Sequence, residues 1–206
     1  MSGSLLFSKC QLSILRQTEQ FAQNFMKYYD WSHDYNHVLR VKTIATKIAL
    51  AESLDKNDIF EIQLGALLHD INDEKYKTSH LTQNEIIRKF YADKNIPSHI
   101  IENVVMIACN TSLSKQLQFD DIKCIKVDCV RDADRIESLG AIGIARYFKY
   151  GITKQDRKLE DIIENIKTRT AILSQRVKTN TGKKIMQNKL TLINSFIEDY
   201  YDSVKN

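Results

Sequence analysis

Histidine and aspartate side chains occur at two places in the sequence with a spacing that could hold a metal ion. His33 and His37 are one helical turn apart, so both can point in the same direction. His69 and Asp70 are adjacent and end an apolar run, ALLHD. Imidazole nitrogens and carboxylate oxygens together suit manganese, magnesium, iron and zinc. Such a ligand set leaves coordination positions open for water and substrate, which indicates metal-assisted hydrolysis.

An acidic pair further along the chain offers another carboxylate. Asp132 and Asp134 lie in the segment VRDADRIESLGAIGIARYF, which we predict to begin in a helix. Each of the two continues a set of apolar helical positions, so the periodicity leaves both open as a ligand. Burying His69 and Asp70 at the end of an apolar stripe costs several kcal/mol unless the pair is compensated. A metal ion would supply that compensation.

The elements that must position these side chains are predicted to be helices. The chain has 206 residues with one proline and six glycines, and strand-like alternation is almost absent. We therefore expect one all-α domain over 1–206. The predicted helices span about 12–29, 33–52, 57–69, 82–95, 97–109 and 121–139, then a glycine-containing stretch at 140–143 followed by helices to 150, over 158–177 and over 182–204.

Three helix starts are predicted from capping residues. Asn57 or Asp58 could cap the third helix. Thr82 and Glu85 have the spacing of a capping box for the fourth helix. Pro97 suits the first turn of the fifth helix, where its missing N–H is not needed.

Charge and composition exclude several classes of partner. The net charge of +4 is small and the lysines and arginines are dispersed, so we expect no nucleic-acid partner. The four cysteines lack zinc-finger spacing and sit mostly among apolar neighbours, which suits a reducing compartment. No apolar run approaches the roughly 20 residues that span a membrane. The first residues, MSGSLLFSKCQ, lack the features of a signal peptide. We expect a cytoplasmic protein without a membrane partner.

Three motifs resemble those of a known family. The segments SHDYNHVLRV, LLHDINDEKY and DADRIESLGAIGIAR are similar to the motifs of the HD superfamily of metal-dependent phosphohydrolases, and most similar to its small bacterial YpgQ and YedJ type. The C-terminal segment TGKKI resembles the last-helix signature of that subgroup. The resemblance covers the chain from about residue 31 to its end. It implies a single HD-domain helical bundle with a metal-binding core at about 31–150 and C-terminal helices at about 158–204.

The resemblance also implies a ligand set, consisting of His37, His69, Asp70 and Asp134. In the family the last ligand is the aspartate directly before a basic residue, which favours Asp134, while Asp132 remains its rival. The implied cofactor is one divalent metal ion, with Mn²⁺ favoured and Mg²⁺, Co²⁺ or Fe²⁺ as alternatives.

Four more residues are candidates for the reaction itself. Related HD nucleotidases have an acid/base glutamate three residues after the aspartate of the HD pair, so Asp73 is the implied catalytic residue, acting directly or through a water. Lys75 and Arg40 are candidate phosphate ligands, because cations near the metal would offset the charge of a polyphosphate. His33 could bind phosphate or support a metal ligand.

Some HD phosphodiesterases build a second metal site from two additional histidines between the HD pair and the last aspartate. This chain has His80 and His99 in that interval, but neither stands in a matching context. We therefore expect one metal ion.

The predicted activity is hydrolysis of small nucleotides. The resemblance favours nucleoside or deoxynucleoside triphosphates, with release of pyrophosphate or stepwise loss of phosphate. A 5′-nucleotidase acting on monophosphates is the nearest alternative, followed by hydrolysis of a cyclic or alarmone nucleotide. A nucleotide-binding regulator without catalysis and a nuclease are the further alternatives. A homodimer is the expected assembly only because symmetric dimers are common.

Overall fold

The computed structural model describes residues 7–29, 34–72, 77, 79–112 and 122–204. These residues contain nine helices and no strand, which confirms the all-α prediction. The helices are α1 (Lys9–Phe25), α2 (Tyr35–Ala51), α3 (Lys56–Leu68), α4 (Gln83–Tyr91), α5 (Ser98–Cys109), α6 (Ile125–Glu137), α7 (Gly140–Gln155), α8 (Leu159–Ser174) and α9 (Asn180–Val204). None of them is both long enough and apolar enough to cross a membrane.

Capping explains where several helices begin. The predicted capping box of Thr82 and Glu85 opens α4 and is confirmed. For α3 the predicted caps, Asn57 and Asp58, are wrong, because Asp55 is the N-cap. The Oδ1 atom of Asp55 accepts hydrogen bonds from the backbone N–H groups of both residues, at 2.8 and 2.9 Å. An acidic side chain two residues earlier therefore satisfies the free donors of the first turn.

The glycine-containing stretch also differs from the prediction. Residues 140–143 do not precede α7 but form its first turn, and the helix extends to Gln155 rather than ending near 150. Gly140 has a φ of +73°, a conformation that favours glycine. A Cβ atom on Gly143 would lie 2.1 Å from the carbonyl oxygen of Ser138. The passage from α6 to α7 therefore requires glycine at Gly140 and Gly143.

Helix α3 lies between two hydrophobic clusters and contributes to both. Ile59 and Ile62 pack with residues of α2, α6, α8 and α9. Phe60 and Leu64 pack with residues of α1, α4 and α5. A helix that is apolar on all sides is buried, and every residue of α3 from 59 to 68 except Gln63 is buried. His69 is the C-cap of this central helix, so its position is fixed by the whole core.

Candidate metal centre

Two helix ends place the histidines. His37 lies in the first turn of α2, where its backbone N–H donates to the side chain of the N-cap residue Asp34 at 3.0 Å. His69 caps the C-terminal end of α3, and Asp70 follows it directly. Both imidazoles are buried. Their ring centroids are 5.3 Å apart, so α2 and α3 bring the two rings together inside the protein.

Carboxylates of Asp70 and Asp134 face these two rings. The Nε2 atom of His37 lies 3.3 Å from Asp70 Oδ2 and 3.4 Å from Asp134 Oδ1. The Nε2 atom of His69 lies 3.3 Å from Asp70 Oδ1 and 3.8 Å from Asp134 Oδ1. Potential ligand atoms of His37, His69 and Asp70 all lie within 4.8 Å of one another. Asp134 is the outermost and most exposed member, and its side chain is 26% exposed.

The hydrogen bonding of His69 determines which nitrogen it offers. Its Nδ1 lies 2.8 Å from the carbonyl oxygen of Ala66, and a carbonyl can only accept, so Nδ1 carries the proton. Its Nε2 therefore presents a lone pair to the carboxylates. This atom is buried and has no hydrogen-bond partner among the described residues. A lone pair facing two carboxylates in a buried site fits a divalent cation, which would interact favourably with all of them.

A carboxylate that was not singled out in the sequence positions His37. Oε2 of Glu137 lies 2.8 Å from His37 Nδ1. Glu137 also accepts a hydrogen bond from Arg40 Nε at 2.7 Å and a close one from Arg146 Nη1. Because the ionised carboxylate of Glu137 cannot donate, the proton of this contact belongs to His37 Nδ1 and is donated to Glu137, even though Arg146 Nη1 lies 3.1 Å from the same nitrogen. The Nε2 atom of His37 is thereby directed at Asp70 and Asp134.

Asp132 has a different environment from Asp134. It is completely buried and accepts hydrogen bonds from the backbone N–H groups of Lys178 and Thr179, at 3.0 and 2.7 Å, and from the Thr179 hydroxyl at 2.8 Å. Arg135 Nη1 lies 3.5 Å from its Oδ1. The structure therefore places Asp134, and not Asp132, beside the histidines.

Charge in the cluster favours a cation at this point. Burial opposes the charge of His37, but hydrogen bonds to Asp134, Asp70 and Glu137 outweigh it and raise its pKa well above the usual value. Burial likewise opposes the charge of Glu137, but the hydrogen bond and charge of His37 lower its pKa to about 2. Desolvation opposes the charge of Asp134 as well, but the hydrogen bond to His37 and the charges of His69 and His37 lower its pKa. A bound metal ion would take the place of the proton that these carboxylates attract.

The other predicted site residues are placed only in part. Asp73, Lys75 and His33 lie outside the described residues. Arg40 is 34% exposed and is held by Glu137, on the Nδ1 side of the His37 ring rather than on the side of Asp70 and Asp134. Its role as a phosphate ligand stays a prediction.

The two additional histidines, His80 and His99, are exposed, and neither belongs to the cluster. Within the described ranges, the cluster of His37, His69 and Asp70 is the only group of side chains suited to a metal ion.

The chain is similar to known proteins in both sequence and fold. The HD domain family matches residues 34–139. YpgQ of Bacillus subtilis (strain 168), described as uncharacterized, is 32% identical over 152 residues, which are 68% of this chain and 69% of YpgQ. The structure of YpgQ in complex with ADP has a TM-score of 0.75 at 21% identity, covering 93% of this chain and 98% of YpgQ. An HD-superfamily hydrolase from Bacillus thuringiensis has a TM-score of 0.75 at 24% identity, covering 94% of this chain and 97% of the other.

The chain belongs to the HD domain family. The matched residues contain His37, His69, Asp70 and Asp134 and span α2 to α6. HD domains bind divalent metals, and membership of this family supports metal-dependent phosphohydrolysis as the general activity. The relatives named above show a shared fold over nearly the whole described chain.

Proposed function

We propose that this protein hydrolyses small nucleotides, specifically nucleoside or deoxynucleoside triphosphates, with Mn²⁺ as its metal ion. The observation that carries the proposal is the pair of buried imidazoles whose Nε2 atoms face the carboxylates of Asp70 and Asp134. The choice of a nucleotide is supported by the relative YpgQ, whose structure was determined in complex with ADP.

His37, His69, Asp70 and Asp134 would hold the metal ion. When bound, a divalent ion supplies Lewis-acid polarisation of the phosphoryl group and activation of the attacking water. The chain orients its own ligands in advance, because Glu137 and the Ala66 carbonyl hold the Nδ1 side of the two imidazoles and turn both Nε2 atoms toward Asp70 and Asp134.

The remaining roles belong to residues that the structure does not describe. Asp73 would accept or deliver a proton during hydrolysis, directly or through a water. Lys75 and His33 would neutralise part of the negative charge of the substrate phosphates. All three lie in segments directly before α2 or directly after His69 and Asp70, so the chain keeps them close to the metal ligands in sequence.

The experiment is phosphate and pyrophosphate release from a panel of nucleoside mono-, di- and triphosphates and their deoxy forms, with Mn²⁺ and with EDTA. We expect Mn²⁺-dependent turnover of the triphosphates and none with EDTA. Release of phosphate from monophosphates alone would instead identify a 5′-nucleotidase. Turnover of cyclic or alarmone nucleotides alone would also reject the triphosphate proposal.

A variant pair separates catalysis at this site from a contaminating activity. We expect Asp70→Ala to abolish turnover, whereas Asp199→Ala, which removes an exposed carboxylate from α9, should retain it. Activity like that of the wild type in purified Asp70→Ala would contradict the proposal. Nucleotide binding without turnover of any nucleotide would favour a regulator over an enzyme.

A further inference from the structure

A second cavity lies on the other side of Glu137 from the candidate metal centre. It is an open cleft of about 260 Å³ between α2, α6, α7 and α9. Glu137 and Arg40 form the part of its lining nearest His37, and none of the four predicted metal ligands lines it. The cleft therefore adjoins the Nδ1 side of the His37 ring, whereas the carboxylates of Asp70 and Asp134 face Nε2.

Two cationic side chains, Arg40 and Lys189, line this cleft. Arg40 uses Nε to bind Glu137, and its two Nη groups form no hydrogen bond within the described part of the chain. Lys189 donates to the Leu139 carbonyl oxygen at 3.3 Å and forms no ion pair with any described carboxylate.

The charge balance of the cleft is positive. Partial burial lowers the pKa of Lys189, although the charge of Glu137 acts in the opposite direction. Glu137 is already shared by Arg40, Arg146 and His37, so little of its charge is left to neutralise the ammonium group. A half-buried ammonium group without its own carboxylate is stabilised when an anion approaches it.

The rest of the cleft is small and, apart from Thr43, whose hydroxyl donates to the Leu39 carbonyl, it is apolar. Its walls include Leu39, Ile44 and Ile142, and Ile142 is 39% exposed. The volume is below the range of about 300–1,000 Å³ that is usual for ligand pockets, which argues against a whole nucleotide. Two cations and several aliphatic side chains in one cleft suit an oxyanion attached to a short apolar body.

We propose that this cleft binds a small phosphate or carboxylate with a short apolar body, held by Lys189 and the Nη groups of Arg40. The oxyanion lies between the two cations, and the apolar part contacts Ile44 and Ile142. The cleft shares no predicted metal ligand with the proposed nucleotide hydrolysis, and Arg40, a predicted phosphate ligand of that reaction, is the one candidate residue common to both.

The test is ¹³C methyl NMR of the full, metal-free protein in EDTA, with phenyl phosphate and benzoate as probes. We expect both to shift the methyl signals of Ile44 and Ile142 in a saturable way. Benzyl alcohol, which lacks the charge, and inorganic phosphate, which lacks the apolar body, should bind more weakly than either probe. Stronger binding by only one of the two anions would identify which oxyanion the cleft prefers, within the same proposal.

Two variants assign the binding to this cleft. Lys189→Gln should raise the Kd of the probes about tenfold, which is the loss of affinity expected for one charge-assisted hydrogen bond. Lys183→Gln, which changes an exposed lysine of the same helix, should leave the Kd unchanged. Ile142→Glu places a negative charge on the exposed rim and should abolish binding, which provides a second test should Lys189→Gln fail to fold.

Three results would overturn the proposal. One is the absence of saturable shifts at Ile44 and Ile142 with either anion. Another is equal binding of benzyl alcohol, which would mean that the cations contribute nothing. The third is an unchanged Kd in both folded variants, which would place the anion elsewhere, for instance beside His37 and His69.

Discussion

Asp132 and Asp134 lie two residues apart on α6 and point into different surroundings. Asp132 is completely buried, and its oxygens accept hydrogen bonds from Lys178 and Thr179 at the start of α9. Asp134 is partly exposed, and its Oδ1 lies near the Nε2 atoms of His37 and His69. The first carboxylate is satisfied by donors of the protein itself. The second faces two imidazole nitrogens and the carboxylate of Asp70, an arrangement that suits a metal ion.

The environment of Asp132 also explains why the TGKK segment, residues 181–184, contains a glycine. A Cβ atom on Gly182 would lie 2.8 Å from Asp132 Oδ2 and 2.6 Å from the Thr179 hydroxyl, so only glycine fits there. Glu52 of the α2 C-terminus accepts a hydrogen bond from the Thr181 N–H at 2.8 Å. Two carboxylates thus meet the positive end of the α9 dipole. This segment joins α9 to the core and stays apart from the metal ligands.

The largest expected effect is on catalysis at Asp134. We predict that Asp134→Ala lowers kcat/KM by at least roughly a thousandfold, because a ligand and part of the charge that attracts the metal are lost. The free energy of unfolding of the metal-free protein should change by less than about 1 kcal/mol, since the side chain is partly exposed. Steady-state kinetics and urea unfolding in EDTA measure the two quantities. Retained activity would remove Asp134 from the site.

The opposite pattern is expected at Asp132. Asp132→Ala should lower the free energy of unfolding by about 3 kcal/mol, because the donors of Lys178 and Thr179 and the charge of Arg135 lose their buried partner. Urea unfolding of the wild type and the variant measures this loss. The folded variant should still bind the metal ion. A stable Asp132→Ala protein that had lost the metal would reverse the assignment of the two aspartates.

A smaller effect on metal affinity is expected at Glu137. Glu137→Gln keeps the shape of the side chain but leaves Arg40 and Arg146 uncompensated beside His37. We predict that the Kd for Mn²⁺ rises about ten- to a hundredfold, as measured by isothermal titration calorimetry. Glu198→Gln, an exposed change on α9, is the matched control. Equal Mn²⁺ affinity in both variants would show that Glu137 does not support His37.

The smallest effect is expected at Glu52, on the exposed side of the α9 start. Glu52→Gln should lower the free energy of unfolding by about 0.5 kcal/mol at neutral pH. The hydrogen bond from Thr181 lowers the pKa of Glu52 in the folded protein. Its contribution is therefore present above the usual carboxylate pKa and lost as the pH falls through the folded value. Thermal unfolding of the wild type and Glu52→Gln at neutral and acidic pH tests this. A stability difference between the two proteins that is larger at acidic pH would contradict it.

Sequence reasoning was sufficient for the helical class because apolar periodicity and the scarcity of proline and glycine act locally. It also named His37, His69 and Asp70, which the structure brings together. Helical periodicity left both Asp132 and Asp134 open, although the family resemblance favoured Asp134. Periodicity could not separate the two aspartates because the contacts of Asp132 with Thr179 come from a distant part of the chain.

Glu137 was missed although a signal for it exists. It is three residues after Asp134 and therefore shares a helix face with it. What no local pattern showed is that this face meets His37, Arg40 and Arg146 from two other helices. The single-domain boundary at 1–206 and the roles of the residues outside the described ranges stay predictions.

Metal binding tests the central claim most directly, namely that His37, His69, Asp70 and Asp134 together hold a divalent ion. Titration of the metal-free protein with Mn²⁺ by calorimetry should be carried out on the wild type, Asp134→Asn and Asp132→Asn. We predict one ion per chain in the wild type and in folded Asp132→Asn, and none in Asp134→Asn at the same concentrations. Absence of binding in the wild type, or unchanged binding in Asp134→Asn, would contradict this account of the site.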